Sequence, residues 1–234
     1  MALLDFGDAP HGGRVRLLPE SKTQKPISPR LFIVHSMVGS IASARQTFET
    51  GVKESTFAVR LDGFVEQWMD TERLADANLH ANSFAISVET EDNGDPDTQE
   101  WTAAQLDTIT WLAHECRRLH PAIALHRADR PDGAGIGYHT MWGSPSEWTP
   151  EAKTCPGRAR IRQFDETLLP RILEGDMPLN SDDLKAVQKI VAAEVDRIYR
   201  LLARGEVDGQ RSDPHFPDST RHTRELVEEV LKAK

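Results

Sequence analysis

The stretch that decides the fold is "RLFIVHS", residues 30–36. Its four central residues are all apolar and mostly β-branched or aromatic, in a run too short for a helix. This pattern predicts a buried strand. His35 follows the run directly and so lies at the carboxyl end of the strand. Open α/β sheets bind their ligands at the carboxyl ends of strands, which makes His35 a candidate functional residue.

Three patterns farther along the chain extend this prediction. The stretch "STFAVRLDGFVEQW", residues 55–68, holds two β-rich runs joined at Asp62-Gly63, a strong hairpin signal. The stretch "FAISVET", residues 84–90, alternates apolar and polar residues and predicts a strand with Glu89 near its end. Residues 101–119 carry apolar side chains at helical spacing, and Thr102 is a suitable N-cap. Strands followed by a long helix indicate an α/β domain.

The second half of this domain contains a strand, a long loop and a helix by the same reasoning. The stretch "AIALH", residues 122–126, predicts a strand, and residues 127–150 are rich in Gly and Pro. A loop of that length inside a compact domain is uncommon and is usually functional. Pro156 suits the first turn of a helix, whose apolar stripe continues to about Gly175.

Three regions follow from these patterns. Residues 1–29 show little periodicity and predict an irregular N-terminal segment, and residues 30–175 form the main domain. Residues 176–234 predict a helical C-terminal appendage, with an amphipathic helix over 181–204 and a closing helix over 221–232. Cell-wall targeting, homo-oligomerisation through the 181–204 helix and packing on the main domain all stay open as its role.

Composition excludes several classes of function. The chain has 234 residues, 38% of them hydrophobic, and a formal net charge of -9. This charge gives no electrostatic reason to bind nucleic acid. The alternating Arg158, Arg160 and Arg162 predict a solvated helix face or contacts to a polymeric ligand rather than a phosphate groove. We find no signal peptide and no apolar run long enough to span a bilayer, and we expect no membrane insertion. Two cysteines argue against a disulfide framework, and Cys116 is expected in the core.

Two histidines and one cysteine form a candidate metal site. His35 ends a strand, His139 lies in the long loop, and Cys155 precedes a helix. Two imidazoles and one thiolate leave a fourth position for water, which is the pattern of a catalytic zinc site. The helix that follows Cys155 would favour a thiolate through its N-terminal dipole.

The motifs together resemble a known family. The stretches "RLFIVHS", "STFAVRLDGFVEQ", "LHANSFAISVE" and "KTCPG" are similar, in order and approximate spacing, to the zinc-dependent N-acetylmuramoyl-L-alanine amidases that share a fold with peptidoglycan recognition proteins. Residues 135–164 resemble endolysins of phages that infect actinobacteria. The resemblance covers about residues 30–173 and implies a central mixed β-sheet flanked by helices. It also implies peptidoglycan as the partner, both the glycan strand and the stem peptide.

The resemblance also implies roles for individual residues. His35, His139 and Cys155 would bind Zn²⁺, although His126 also resembles the family's second histidine and stays open as an alternative. His139 lies sixteen residues before Cys155, closer to the family spacing than His126 at twenty-nine. Glu89 would act as the general base, and Lys153 would stabilise the tetrahedral oxyanion.

The resemblance also implies residues that contact the substrate, and this chain differs from the family at one catalytic position. The residues expected to bind substrate are His80, Asn82, His126 and Trp142. Trp142, Tyr138 and Trp148 are aromatic candidates for a sugar or peptide platform, with packing in the core or anchoring of the loop as the alternative role. Some family members have a catalytic tyrosine at the start of the second strand, where this chain has Ser55 or Thr56. A mechanism that needs that phenol is therefore in doubt for this chain.

The expected function is that of an endolysin, a peptidoglycan hydrolase. It would cleave the amide between N-acetylmuramic acid and L-alanine of the stem peptide with a zinc-activated water. Such an enzyme would collect in the host cytoplasm and act on the bacterial cell wall after release. The alternatives are a non-catalytic peptidoglycan-binding module of the same fold and a thiol enzyme with Cys155 as its nucleophile.

Overall fold

The structure is a computed structural model and describes residues 1–50, 53–175 and 189. The chain divides into two compact units, Met1–Pro178 and Leu179–Lys234. The two helices predicted over 181–204 and 221–232 lie outside the described residues, apart from Lys189. None of the described helices is both long and apolar enough to cross a membrane.

A single mixed sheet of six strands organises the first unit. Its strands are β1 (Gly13–Val15), β2 (Leu31–Val34), β3 (Phe57–Val59), β4 (Val65–Gln67), β5 (Ala85–Thr90) and β6 (Gly135–Tyr138), in the spatial order β1-β4-β3-β5-β2-β6. Strands β2, β3, β5 and β6 run parallel, whereas β3 and β4 form an antiparallel hairpin. The mixed sheet confirms the expected fold class.

The five strands other than β1 are buried almost throughout, on both faces of the sheet. Side chains of one face, such as Val34, Ile86 and Ile136, share a core with α2 (Ala103–Leu119). The other face carries Ile33 in one cluster and Ala58 in another, and the second cluster includes Ile41 of α1 (Ile41–Thr50). Strands that are apolar on both faces are typical of a parallel sheet between layers of helix.

Most of the central elements agree with the sequence predictions. Strands β2 and β5, the β3–β4 hairpin and α2 lie where the patterns predict them. Gly63 has φ +84 in the hairpin turn, a conformation that favours glycine. Thr102 caps α2 in a capping box with Gln105.

The predicted strand over residues 122–126 is wrong. This segment is a turn, and only one isolated bridge, Arg127 with Ile136, joins it to the sheet. The edge strand is β6 instead, inside the stretch predicted as a loop. The glycines of this strand give it no strand pattern in the sequence. Close packing requires glycine at position 135, because a Cβ there would lie 2.7 Å from the carbonyl oxygen of His126.

The N-terminal segment is more ordered than predicted. Strand β1 pairs with β4 in parallel, and a 3₁₀ turn follows over Pro19–Lys22. Leu4 is buried in the core that α2 shares with the sheet, and Leu18 is buried in the cluster that contains Ala58 and Ile41. These contacts attach the segment predicted as irregular to the edge of the sheet.

The helix predicted after the Cys-Pro-Gly motif is present but has three parts. Helix α3 (Arg158–Gln163) leads into a π-helical turn (Phe164–Leu168) and then into α4 (Leu169–Glu174). Pro170 has no N–H and would clash with a carbonyl one α-turn earlier, and the wider π turn accommodates it. Gly175 ends the helix in the left-handed conformation, as the sequence predicts.

Candidate active site

Parallel strands bring three candidate residues to one edge of the sheet. Val34 pairs with Val88 of β5 and with Tyr138 of β6 in parallel register. The next residues along these strands, His35, Glu89 and His139, therefore meet at the carboxyl edge. The rings of His35 and His139 lie 4.3 Å apart between centroids, and both side chains are buried.

Cys155 reaches this edge from the turn before α3. Its Sγ lies 3.8 Å from Nδ1 of His35 and accepts a hydrogen bond from the Ser36 N–H at 3.3 Å. The turn is held by Thr140, whose hydroxyl donates to the Cys155 carbonyl at 2.8 Å. Gly157 has φ +99, and a Cβ there would lie 2.1 Å from the Pro96 carbonyl oxygen. The glycine of "KTCPG" is thus required for the turn to lie against the chain after β5.

Hydrogen bonds orient both imidazoles toward the cysteine. His35 Nε2 pairs with Oδ1 of Asn78 at 2.7 Å, and His139 Nε2 pairs with the carbonyl oxygen of Trp148 at 2.9 Å. Both partners are acceptors, so each Nε2 carries the proton and each Nδ1 keeps a free lone pair. Such outer hydrogen bonds fix the tautomer and the orientation of histidines that ligate metals.

The donor set fits a tetrahedral zinc ion. Ligating atoms of His35, His139 and Cys155 all lie within 4.8 Å of one another, and they are the one such cluster among the described residues. Bonds of about 2.3 Å to sulfur and about 2.0 Å to nitrogen at the tetrahedral angle put those two atoms about 3.5 Å apart. The Sγ to Nδ1 distance of 3.8 Å agrees with this value.

Burial keeps all three donors neutral unless a cation compensates. It lowers the pKa of His35 well below its usual value, an effect that His139 reinforces, and lowers the pKa of His139 to about 4. Burial, followed by the nearby Glu89 carboxylate, raises the pKa of the Cys155 thiol to about 12. The hydrogen bonds with Ser36 and the Lys153 ammonium lower the pKa but do not offset this burial. Neutral imidazoles are ready to ligate, and a bound dication would displace the thiol proton.

Glu89 is a carboxyl group with a raised pKa beside these donors. Its Oε1 lies 3.8 Å from Nδ1 of His35, and its Oε2 is buried with no hydrogen-bond partner in the structure. Burial raises the pKa of Glu89 to about 7, although Lys153 and Arg160 act against it. A carboxyl group with a pKa near neutrality can both accept and release a proton at working pH.

Arg160 holds the end of β5, the strand that carries Glu89. The arginine is completely buried rather than part of a solvated face as predicted. Its guanidinium donates to Thr90 Oγ1 at 3.0 Å and to the Glu91 carbonyl at 3.1 Å. The Thr90 hydroxyl in turn donates to the His35 carbonyl at 2.5 Å, which ties the ends of β2 and β5 together.

A cleft of about 890 Å³ opens above these residues. Lys153 lines it with a half-buried side chain, and its ammonium lies 3.8 Å from a carboxylate oxygen of Glu151. The remaining lining residues come from α1, the chain before β3, the segments after β2 and β5, and the loops at residues 76–82 and 150–155. The arrangement offers a metal site, a carboxyl group and a cation on one surface, which is a set suited to amide hydrolysis.

Several of the residues expected at the substrate are elsewhere. His126 is exposed, bonds to the Arg127 carbonyl and is part of neither the metal cluster nor the cleft lining. Trp142 does not line the cleft either, because it packs edge-on against Trp148 at 5.8 Å. Trp148 and Tyr138 are buried, so the predicted aromatic platform is wrong.

The loop after β4 carries the other two residues expected to bind substrate. His80 is exposed next to the cleft but is not part of its lining, and its ring packs edge-on to Phe84. Asn82 does line the cleft, but its amide is occupied within the protein. Its Oδ1 accepts from the Asn78 N–H at 2.6 Å, and its Nδ2 donates to Asp76 at 3.0 Å. Asn82 therefore holds the loop that carries Asn78.

Sequence reasoning missed Asn78 and Glu54. Asn78 is completely buried and orients His35, but no periodicity or motif distinguishes it from the other loop asparagine. Glu54 lines the cleft just before Ser55 and Thr56, the two residues considered in place of the family tyrosine. Both of those hydroxyl residues are buried, and Ser55 donates to the carbonyl oxygens of Phe57 and Ser87.

Several solved structures are similar to the chain. A selenomethionine AmpD derivative is 20% identical over 70% of this chain and 97% of its own, with a TM-score of 0.48. The N-acetylmuramoyl-L-alanine amidase LysC from Clostridium intestinale URNW is 14% identical over 62% and 87%, with a TM-score of 0.45. The Ph2119 endolysin from Thermus scotoductus MAT2119 bacteriophage Ph2119 is 16% identical over 65% and 99%, with a TM-score of 0.46. Among curated proteins, none matches the sequence significantly.

A family model provides the assignment. The model for N-acetylmuramoyl-L-alanine amidase matches residues 24–158, more than half of the 234 residues. This range contains β2 through β6, all three donors of the metal cluster, Glu89 and Lys153. The chain therefore belongs to the N-acetylmuramoyl-L-alanine amidase family.

Proposed function

We propose that the protein is a zinc-dependent amidase that cleaves the bond between N-acetylmuramic acid and L-alanine in peptidoglycan. The observation that carries the proposal is the convergence of His35, His139 and Cys155 at the edge that also holds Glu89. When bound, zinc would supply a water of lowered pKa and polarise the scissile carbonyl. The neutral imidazoles and the Ser36 N–H bond to sulfur support this ligand set.

Glu89 and Lys153 would carry the remaining steps. Glu89 would take a proton from the attacking water and return it to the leaving amine of L-alanine. The Lys153 ammonium would stabilise the negative charge that develops on the carbonyl oxygen. Because Lys153 also lowers the pKa of Glu89, protonation of the carboxyl group and stabilisation of the oxyanion are coupled.

The biological setting is proposed from the sequence resemblance alone. The similarity of residues 135–164 to endolysins of actinobacterial phages supports a role in cell lysis. The enzyme would collect in the host cytoplasm and reach the cell wall after release. The C-terminal region would then serve wall binding or oligomerisation.

Zinc content and peptide release measured on the same samples test the proposal. We expect about one zinc per chain in the wild type and in His126→Ala, and a large loss in His139→Ala. Hydrolysis of actinobacterial cell walls should follow the zinc content. Zinc loss in His126→Ala alone would reassign the second ligand. A protein that binds walls without releasing stem peptides would be a recognition module.

A further inference from the structure

Two acidic side chains line the same cleft away from the metal cluster. Glu54 is 1% exposed and precedes β3, and Asp76 lies in the loop after β4. One amide nitrogen, Nε2 of Gln24, donates to Glu54 Oε1 at 2.6 Å and reaches Asp76 Oδ2 at 3.3 Å. This shared donor holds the two carboxyl groups close together at the cleft wall.

No basic side chain contributes to the pKa of Glu54 in this acidic pair. Glu54 Oε2 is buried and accepts no hydrogen bond from a donor in the structure, and the protonated side chain can donate to Glu20. Burial raises the pKa of Glu54 to about 7, and the next largest contributions come from the carboxylates of Asp76 and Glu20. Lys53 also lines the cleft, but no basic side chain contributes to this shift. A buried acceptor without a partner is costly, and a cationic ligand would remove that cost.

Hydrogen bonds connect the pair to the metal site. Asp76 Oδ1 accepts from Asn82, Asn82 Oδ1 accepts from the Asn78 N–H, and Asn78 orients His35. The acidic pair and His35 are therefore joined by one network of hydrogen bonds. A ligand whose amide lies at the metal site could extend along the cleft to the pair.

The chemistry of the pair favours an organic ammonium over a metal ion. Among the described residues, the one cluster with metal-ligand geometry is His35, His139 and Cys155, so Glu54 and Asp76 do not form a second. A primary ammonium carries three donors and one charge, which suits one free carboxylate oxygen beside a second carboxylate. We propose that Glu54 and Asp76 form a subsite for a primary ammonium group on the peptide part of the substrate. This inference rests on the proposed function.

A pair of substrates that differ only in this charge tests the subsite. The first is a muramyl tripeptide with lysine as its third residue, and the second carries Nε-acetyllysine instead. We expect the wild type to have a KM about tenfold lower for the free amine at equal kcat. Glu54→Gln and, independently, Asp76→Asn should remove the difference. Glu166→Gln, at an exposed position outside the cleft, should keep it.

Calorimetry of the same two ligands separates this inference from the proposed function. Preferential binding of the free amine without hydrolysis would support the subsite and reject the amidase. Hydrolysis of both substrates with equal KM, or equal binding of both without hydrolysis, would overturn the subsite. A preference that survives in both Glu54→Gln and Asp76→Asn would also overturn it.

Discussion

At the scale of single residues, Cys155 decides whether the cleft can hold a metal. Its Sγ is the one anionic donor in the cluster once the proton has left. Cys155→Ser replaces a soft ligand by a hydroxyl that binds zinc weakly, so we expect zinc and activity to be lost together. Elemental analysis and wall hydrolysis of the same sample measure both. Cys116→Ala, at the buried cysteine of α2, is the matched control and should retain its zinc.

Glu89 should separate catalysis from metal binding. Glu89→Gln keeps the shape of the side chain but cannot accept the proton, so we expect a rate loss of about 10²- to 10⁴-fold with zinc unchanged. Single-turnover hydrolysis of a muramyl peptide measures the chemical step. A variant that hydrolyses the peptide at the wild-type rate would show that Glu89 is not the base. Loss of zinc instead would assign the carboxylate a role in the metal site.

Asn78 should act on zinc through His35. Removing its side chain with Asn78→Ala frees Nε2 of His35, and the imidazole loses the acceptor that fixes its tautomer. Outer partners of this kind change metal affinity by about 10- to 100-fold. Competition with a fluorescent chelator measures the shift, and the exposed Asn93→Ala serves as the control. Unchanged affinity would restrict Asn78 to a role in folding of the loop.

The sequence was informative about residues whose position follows from strand ends and motifs. His35 could be singled out because it follows a buried apolar run, and Glu89 because it lies near the end of an alternating run. Cys155 could be singled out because it is part of a Cys-Pro-Gly turn. Contacts between loops left no such signal. Asn78 and Glu54 acquire their roles only when the loop after β4 folds against the cleft. Trp142 was misjudged because an aromatic residue in a loop looks the same whether it packs inward or faces a ligand.

At the scale of elements, predictability followed the strength of local patterns. Strands β2 and β5 and helix α2 have clear periodicity, and the β3–β4 hairpin has an Asp-Gly turn. Strand β6 has two glycines in four residues and could not be recognised. The same glycines are needed because a Cβ on Gly137 would lie 3.1 Å from Trp148 and Met141. Tertiary packing outweighed the local preference there.

The position of Cys155 depends on the turn before α3. Gly157→Ala adds a Cβ that would lie 2.1 Å from the Pro96 carbonyl oxygen, at φ +99. We expect a loss of about 2–4 kcal/mol in the free energy of unfolding, measured by urea denaturation. Gly94 has a similar φ of +104 but nothing within 4 Å of its Cβ position. Gly94→Ala should therefore cost only the backbone strain, about 1–2 kcal/mol. Equal losses in the two variants would contradict the close contact.

At the scale of the whole molecule, the cleft concentrates ionisable groups that folding removes from water. Glu54, Glu89 and Cys155 all have a raised pKa, mainly through burial. Ionisation of any of them therefore lowers the free energy of unfolding. Active sites commonly contain such groups, because ligands stabilise the charges that the empty fold does not. We therefore expect the cleft to be the least stable region of this domain at alkaline pH.

Glu54 allows this effect to be measured away from the metal. Its pKa is about 7 in the folded protein, with Asp76 and Glu20 opposite it, and near 4.5 in an unfolded chain. The neutral carboxyl group is thus favoured by folding, so its stabilising effect is complete below pH 4.5 and disappears as the pH rises through 7. Glu54→Gln carries no such charge, and its stability should increase relative to the wild type by up to about 2.5 kcal/mol between pH 5 and 8. Urea denaturation of both proteins at several pH values measures this difference. A difference that stays constant across this range would show that Glu54 ionises freely at the cleft wall, and that its environment does not resist a negative charge.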